Sequence, residues 1–573
     1  MPQEREPNKV YPQVIPEIEH WPIYRLHQNR ASFVKEIEAL TVQRLEQKYG
    51  KDLGQVLAKT SYLERIRIKE EPWKVDPPDE RQFWRRLRNR LVGESLDRSP
   101  EEANSINQEI LQRIVHRYSE EIVGSFRKKT FLFARKFLTI FFGRLLNTAA
   151  SKNFRRIYNR KHRLYDRLLA KGDIEKLRHL TKKGTVVIVP THFSNLDSIL
   201  IGYVLDTMVG FPSLFYGAGL NLYNTGYLAF FMNRMGAYRV DRRKKNPVYL
   251  ETLKTVSNIA LQHGTHSLFF PGGTRSRSGS LETKLKLGLL GSVIDAQRTH
   301  YESGKTDKIF VVPLIIGYHV VLDAKELIEQ HLTRTGKELY ISNKKGFSLR
   351  KIIRFTWMAF SKGSDITMSI GKPMDVLGNF VDAEGRSFDR FENEIDVSDY
   401  FKAEGQVTKD YQREEEYTRI LAERITERYY KDNVVLNSHL VAFVAFELLV
   451  SENPSLDIFG VLRLPPEEYI FSEQKLLRGI KKLQTRLVEM ESKGRIKLSY
   501  EVQLPEDQVL TEGISNLGVF HPNKPLRYDK RNKIISEDFK LLYFYRNRLD
   551  NYGFEELYTK EMVVKKKTIR IEP

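Results

Sequence analysis

The sequence predicts an α/β protein, a central sheet flanked by helices, set between mainly helical N- and C-terminal regions. Three observations predict it. Short β-branched or aromatic runs recur at 185–189, 267–270, 309–316 and 366–370. Helical-looking segments, 247–262 and 287–298, separate them, and such alternation marks layered α/β structure. Charged sequence of helical texture lies on both sides. At 573 residues the chain is too long for one ordinary core. Three units are expected, 1–125, 126–400 and 401–573.

Taken in order, residues 1–125 read as charged helices punctuated by Glu71-Pro72 and Pro77-Pro78, with no catalytic pattern. Residues 130–146 are rich in Phe and Leu but interrupted by Arg135, Lys136 and Arg144. They suit either a helix lying in a membrane interface or a core helix with a solvated face. After the run 185–189, Ser194 is a natural N-cap for a helix with the apolar stripe Leu196, Ile199, Leu200 and Tyr203. The acidic stretch 381–416 reads as a linker or surface excursion. Residues 440–450, which carry Glu447, read as a short buried helix, and 473–493 as a long one. The basic end at 564–567 reads as a solvated tail.

Lys and Arg number 94 against 73 Asp and Glu, a net charge of +21. That excess favours polyanionic surroundings: nucleic acid, an anionic bilayer, acidic carriers or phosphorylated substrates. The chain has no cysteine, so disulfides, thiol nucleophiles and cysteine-ligated zinc are excluded. Residues 1–20 show no basic-then-apolar secretory pattern, and no apolar stretch reaches spanning length.

Four segments carry chemistry. The first is Val189-Pro190-Thr191-His192-Phe193-Ser194-Asn195-Leu196-Asp197. An imidazole at a strand end, with a carboxylate returned to it by the first turn of a helix, can act as an oriented general base toward an alcohol. The plainer alternatives are a helix-capping Asp197 and a buried, satisfied His192. In the second segment a short apolar stretch, Ala218 to Leu222, is followed by Gly236-Ala237-Tyr238-Arg239-Val240-Asp241-Arg242-Arg243-Lys244-Lys245. Its guanidiniums could bind phosphate or simply be solvated. The third is the Gly-rich turn Phe270-Pro271-Gly272-Gly273-Thr274-Arg275-Ser276-Arg277, whose amides and side chains suit an anion. It lacks the spacing of a nucleotide P-loop. The fourth, Val311 to His319, reads as a buried strand. His263 and His266 have ligand-like spacing without a matching third ligand, so no metal is expected.

In this order the segments resemble the glycerolipid acyltransferase superfamily, which acylates glycerol-3-phosphate, dihydroxyacetone-phosphate or lysophosphatidate. The first block matches at His192 and Asp197, and the second at Gly219 to Leu222 and Gly236 to Arg242. The third matches at Phe270, Gly273, Arg275 and Ser276, and the fourth at Val312, Pro313 and Tyr318. Arg275 to Gly279, Lys286 to Leu290 and, more loosely, Asn433 to Phe443 resemble the glycerol-3-phosphate branch in particular. The resemblance implies an acyltransferase domain with a mixed central sheet. It implies His192 as base and Asp197 as its orienting partner. Gly219, Asn221, Arg239, Arg242, Gly273, Arg275, Ser276, Arg277 and Lys286 would bind substrate. Acyl-CoA or acyl carrier protein would be the co-substrate, with no other cofactor and no metal. The acceptor would be glycerol-3-phosphate or, alternatively, lysophosphatidate. The chain would sit peripherally on an anionic membrane surface at the cytoplasmic face, with no nucleic acid partner.

Two departures stand out. The family's third-block glutamate falls on Gly272, and Asp241 stands where the glycerophosphate branch has a second basic residue. The first keeps open a non-catalytic lipid-surface protein on the same fold.

The proposed chemistry is attack of an alcohol on a thioester. A thiolate leaves readily, so no covalent enzyme intermediate is needed. The absence of cysteine and of a Gly-x-Ser-x-Gly elbow agrees with this. Backbone N–H groups near Pro271 to Gly273 are the expected oxyanion donors.

Overall fold

The computed structural model describes residues 9–92, 99–150, 168–220, 223, 226–334, 366–466, 469–517 and 521–558. Seven strands form the central sheet: β1 Leu168–Gly172, β2 Gly184–Pro190, β3 Phe215–Gly219, β4 Ala237–Val240, β5 Ser267–Leu268, β6 Lys308–Tyr318 and β7 Ile366–Ile370. Their order is β1-β7-β6-β2-β5-β3-β4. Every neighbouring pair is parallel except β6 and β7, so the sheet is mixed. The longest parallel register runs from Gly184↔Lys308 to Pro190↔Leu314. The C-terminal ends of β2, β3, β4, β5 and β6 therefore share one edge, where open α/β sheets place their sites.

Sequence and structure agree closely on β7 and on the helix Pro247–Gln262. That helix has Pro247 in its first turn and an Asn246 side chain that accepts the Tyr249 N–H at 2.8 Å. The run 267–270 yields only two strand residues, because Phe270 already opens the turn that Gly273 closes by donating to its carbonyl at 3.0 Å. Strands β1, β3 and β4 carry no long apolar run, and Gly172, Gly217 and Gly219 weaken their signal. Only the neighbouring strands define them.

Ser194 is not a helix N-cap. The helix begins at Asp197, and the Ser194 hydroxyl accepts the Leu196 N–H inside the preceding turn at 3.3 Å. Residues 381–416 are not a linker either. The short strands Phe380–Val381, Ser387–Phe388 and Glu394–Ile395 form an antiparallel meander. Its turns repeat one device: Asp375, Asp382 and Asp389 each accept N–H groups two and four residues ahead. Val381, Val397 and Phe401 are buried.

Helices Arg30–Tyr49, Leu53–Glu70 and Pro100–Ile122 pack on Pro247–Gln262. On the other side, Asn437–Glu452 is almost wholly buried among Glu473–Ser492, Glu506–Asn516 and Phe539–Arg546. One apolar cluster runs without interruption from Val187 in β2 to Tyr558. The segment 130–146 lies in the helix Lys128–Ala150. Phe131 and Ala134 face inward, while Leu132, Phe133, Phe137 and Ile140 are exposed. Among the described residues no helix is long and apolar enough to cross a membrane. The basic end at 564–567 lies outside the described residues.

Candidate active site

Beyond β2 a single turn at residues 195–196 leads into the helix Asp197–Val204, which returns Asp197 to His192. The Asp197 carboxylate is fully buried. Its Oδ2 lies 2.8 Å from His192 Nδ1 and accepts the N–H groups of Phe193 at 2.7 Å and Ser194 at 2.8 Å. Tyr318, at the end of β6, donates its hydroxyl to Oδ1 at 2.7 Å. Four donors thus hold one carboxylate in place, with Nδ1–H as the ring's protonated nitrogen. Nε2 is then the basic atom. It makes no hydrogen bond among the described residues, and the side chain is 13% exposed, enough for a substrate to reach it. The imidazole stacks on Phe270, 4.1 Å between centroids, which fixes its plane.

The backbone of His192 is clamped as well. Its N–H donates to Glu282 Oε1 at 2.9 Å, and its carbonyl accepts the Ser276 N–H at 2.7 Å. Burial pushes the Glu282 carboxyl up to about 7, against the opposing pull of the His192 N–H and the Arg548 guanidinium. Arg548 comes from the far end of the chain. It donates to the Ile316 carbonyl at 2.8 Å and to Asn433 Oδ1 at 2.9 Å, and lies 4.4 Å over the Phe193 ring. Burial lowers its pKa to about 10, so it remains a cation at neutral pH beside Asp197 and Glu282. His439 Nε2 lies 3.1 Å from the Tyr318 carbonyl. The loosely matched stretch 433–443 therefore buttresses the dyad from behind.

On the loop whose Ser276 N–H bonds the His192 carbonyl, and around it, the charge is positive. Desolvation and the nearby Arg275 hold Arg242 below the usual guanidinium range. Arg277 is lowered by desolvation and by Arg334, Arg275 and Arg242. Arg277 thus lies among three like charges, Arg242, Arg275 and Arg334, the electrostatic condition of an anion site. Of the four, only Arg275 has a carboxylate partner among the described residues, Asp323, which also accepts from Asn195 Nδ2 at 3.0 Å.

The structure gathers some sequence-selected residues and disperses others. Arg242, Arg275 and Arg277 converge. Arg239 lies apart, donating to Asn233 Oδ1 at 2.8 Å and 3.1 Å and resting over Tyr223. Arg243 is tied to Asp241 and Asp76, and Lys244 to Glu121, so these two cations are structural. Gly219 ends β3 opposite Val240. Asn221 lies outside the described residues. Gly273 has φ +75°, and the Lys286 side chain crosses the space a Cβ would need. Ser276 holds the loop through its N–H to His192 and its hydroxyl to the Ser280 carbonyl.

The oxyanion expectation narrows. Pro271 has no N–H and Gly273 spends its own on Phe270, which leaves the Gly272 and Thr274 amides without a partner among the described residues. His263 pairs with Glu36, and His266, buried and held near 4, accepts the Val186 N–H. Among the described residues no cluster of three or more metal-ligating groups occurs. Sequence reasoning missed Glu282, Asp323, Arg334 and Arg548. A local motif contains none of them, and Arg548 is remote in sequence from every block.

Residues 171–317 match the family model described as Acyltransferase. Among curated proteins the chain is similar to a glycerol-3-phosphate acyltransferase of Aeromonas hydrophila, 26% identical over 300 residues, covering 51% of this chain and 34% of the relative. It is similar to one of Pseudomonas fluorescens, 27% identical over 224 residues, 39% of this chain and 25% of the relative. A third, of Pseudomonas aeruginosa, is 24% identical over 297 residues, 52% of this chain and 31% of the relative. The chain thus spans about a third or less of the length of these relatives.

Proposed function

We propose, from the premise that residues 171–317 form an acyltransferase domain of the glycerolipid superfamily, that this protein acylates glycerol-3-phosphate from a fatty acyl thioester. The observation that carries the reading is the fixed His192–Asp197–Tyr318 arrangement, with the His192 carbonyl bonded to Ser276 between Arg275 and Arg277, two members of a cluster of like-charged guanidiniums. His192 Nε2 takes the acceptor hydroxyl proton as the oxygen attacks the thioester carbon. Asp197 holds the tautomer and stabilises the imidazolium. The Gly272 and Thr274 amides face the developing oxyanion, and the imidazolium returns its proton to the departing thiolate. Arg242, Arg275, Arg277 and Arg334 fix the acceptor phosphate. Holding the hydroxyl in line supplies much of the rate enhancement.

The donor is acyl-CoA or acyl carrier protein. Both are anionic, and the chain's net charge of +21 favours either. The exposed side chains of Leu132, Phe133, Phe137 and Ile140 suit association with an anionic bilayer surface, where the product belongs.

The test is incubation of purified protein with labelled glycerol-3-phosphate and a long-chain acyl thioester of each kind, followed by identification of the lipid. Formation of 1-acylglycerol-3-phosphate, abolished in His192→Ala, is the expected outcome. Turnover only with lysophosphatidate reassigns the acceptor. Full turnover in His192→Ala rejects the base.

A further inference from the structure

We propose that Glu282 is a positioning residue of this site: its carboxylate occupies the place of a side chain at position 272 and holds the backbone of His192 in register with Asp197. The inference rests on the acyl-transfer reading above and goes beyond it. It assigns the missing third-block acid to a residue ten positions along the chain.

The first observation is spatial. A Cβ built on Gly272 would lie 3.0 Å from Glu282 Cγ and 3.1 Å from its Oε1. Gly272 is not among the glycines with positive φ, so its backbone does not call for glycine. The space is tight instead: a side chain at 272 and Glu282 would compete for it, and Glu282 would have to give way by a few tenths of an ångström even for a Cβ.

The second observation is the hydrogen bond from the His192 N–H to Glu282 Oε1 at 2.9 Å. With the Ser276 N–H on the His192 carbonyl, the stretch 276–282 grips the residue that carries the base from both sides. Third, Glu282 Oε2 is buried and has no hydrogen-bond partner among the described residues. An acid kept only for packing would have both oxygens satisfied, because a half-satisfied buried carboxylate costs stability.

The groups that face it are Asp197, the cation of Arg548, and the phenols of Tyr429 and Tyr430. Asp197 disfavours its ionised form and Arg548 favours it. Burial raises the Glu282 carboxyl, the His192 N–H opposes it, and Arg548 and Asp197 add smaller, opposite effects.

The experiment compares Glu282→Ala, Glu282→Gln, Gly272→Glu and the double variant Gly272→Glu/Glu282→Ala in the full chain. Each is followed by steady-state kinetics and by hydrogen–deuterium exchange of the peptide spanning residues 189–196. Glu282→Ala is expected to lower kcat by about tenfold or more with little change in KM for glycerol-3-phosphate, because a shifted base costs rate rather than binding. It should also speed exchange in that peptide. Gly272→Glu alone should be at least as damaged, since two carboxyls then contend for one space. The double variant should recover most of kcat and of the protection, because the acid is back over His192 from the other position. Glu282→Gln should keep the protection and lose one ionisation near neutrality from the pH profile of kcat.

Wild-type kcat in Glu282→Ala overturns the proposal. So does a folded double variant no faster than Glu282→Ala. If the wild type acylates no acceptor, the functional reading fails by itself. The exchange measurement still decides the structural claim, and unchanged exchange in Glu282→Ala overturns it.

Discussion

Asp197 Oδ2 accepts from His192 Nδ1, Phe193 N and Ser194 N, and Oδ1 accepts from Tyr318. An asparagine can keep the three Oδ2 contacts with its carbonyl and meet the tyrosine oxygen with its amide. Asp197→Asn is therefore expected to fold as the wild type does by circular dichroism. It should lose about 10³-fold or more in kcat, because the imidazolium is no longer stabilised by a charge. Glu282 permits a second prediction, on stability. Its carboxyl is raised from 4.5 to about 7 in the folded chain. Between those values the unfolded chain has released a proton that the folded one still holds, so stability falls as pH rises from about 4.5 to about 7 and is level above it. Glu282→Gln removes that slope. Thermal melts at pH 5 and pH 8 should show wild type losing on the order of 3 kcal/mol more than the variant across the interval. Equal losses would mean that the carboxyl titrates normally. At this scale the sequence revealed His192 and Asp197 because they lie five residues apart and one turn joins them. Glu282 and Arg548 reach the same point through loops whose course no local pattern specifies.

At the scale of elements, the helix Lys128–Ala150 joins a packed face to an exposed one. Phe131 and Ala134 are buried, and Arg135 pairs with Asp206, whose carboxyl burial raises to about 6. Phe137 and Ile140 face outward at 54% and 46% exposure, so replacing them tests surface binding without opening the core. Phe137→Ser/Ile140→Ser should leave Tm nearly unchanged and reduce sedimentation with anionic phospholipid vesicles. Undiminished binding would assign the membrane contact elsewhere. The core-helix reading of this segment captured its packed face, but the opposite face carries exposed apolar side chains as well as basic ones. The 3.6-residue period reveals amphipathicity, but here apolar side chains occupy both faces and only packing tells them apart. The helix Pro247–Gln262 was legible end to end because its cap and its proline are local signals. Strands β1, β3 and β4 were not, since a strand of four or five residues, glycine-bearing in β1 and β3 and interrupted by Arg239 in β4, is defined by its partners.

Over the whole molecule, the apolar core and the buried charges tie distant parts of the chain together. Arg67 bridges Glu64, Asp76 and Glu80, while Arg243 and Lys244, just beyond β4, reach Asp76 and Glu121. At the other end, Phe539–Arg546 packs on Asn437–Glu452, and Arg548 lies against the dyad. A chain ending after residue 516 would uncover the apolar face of Asn437–Glu452 that Phe539–Arg546 covers and remove the cation beside Asp197 and Glu282. Such a truncation should fail to give a cooperative melt. A folded, active product would show that the site is independent of the C-terminal region.

By itself the sequence determined the α/β class, the His192–Asp197 dyad and the likeness to an acyl-transferring family. Each depends on residues close together in the chain, where short-range sterics and hydrogen bonding leave little choice. The tertiary structure decided which arginines face the site, which are bound to carboxylates, and that Glu282 and Arg548 belong to it. Those outcomes depend on how separated segments share one buried volume. In such a volume every polar group must find its partner, and the partner can lie anywhere along the chain.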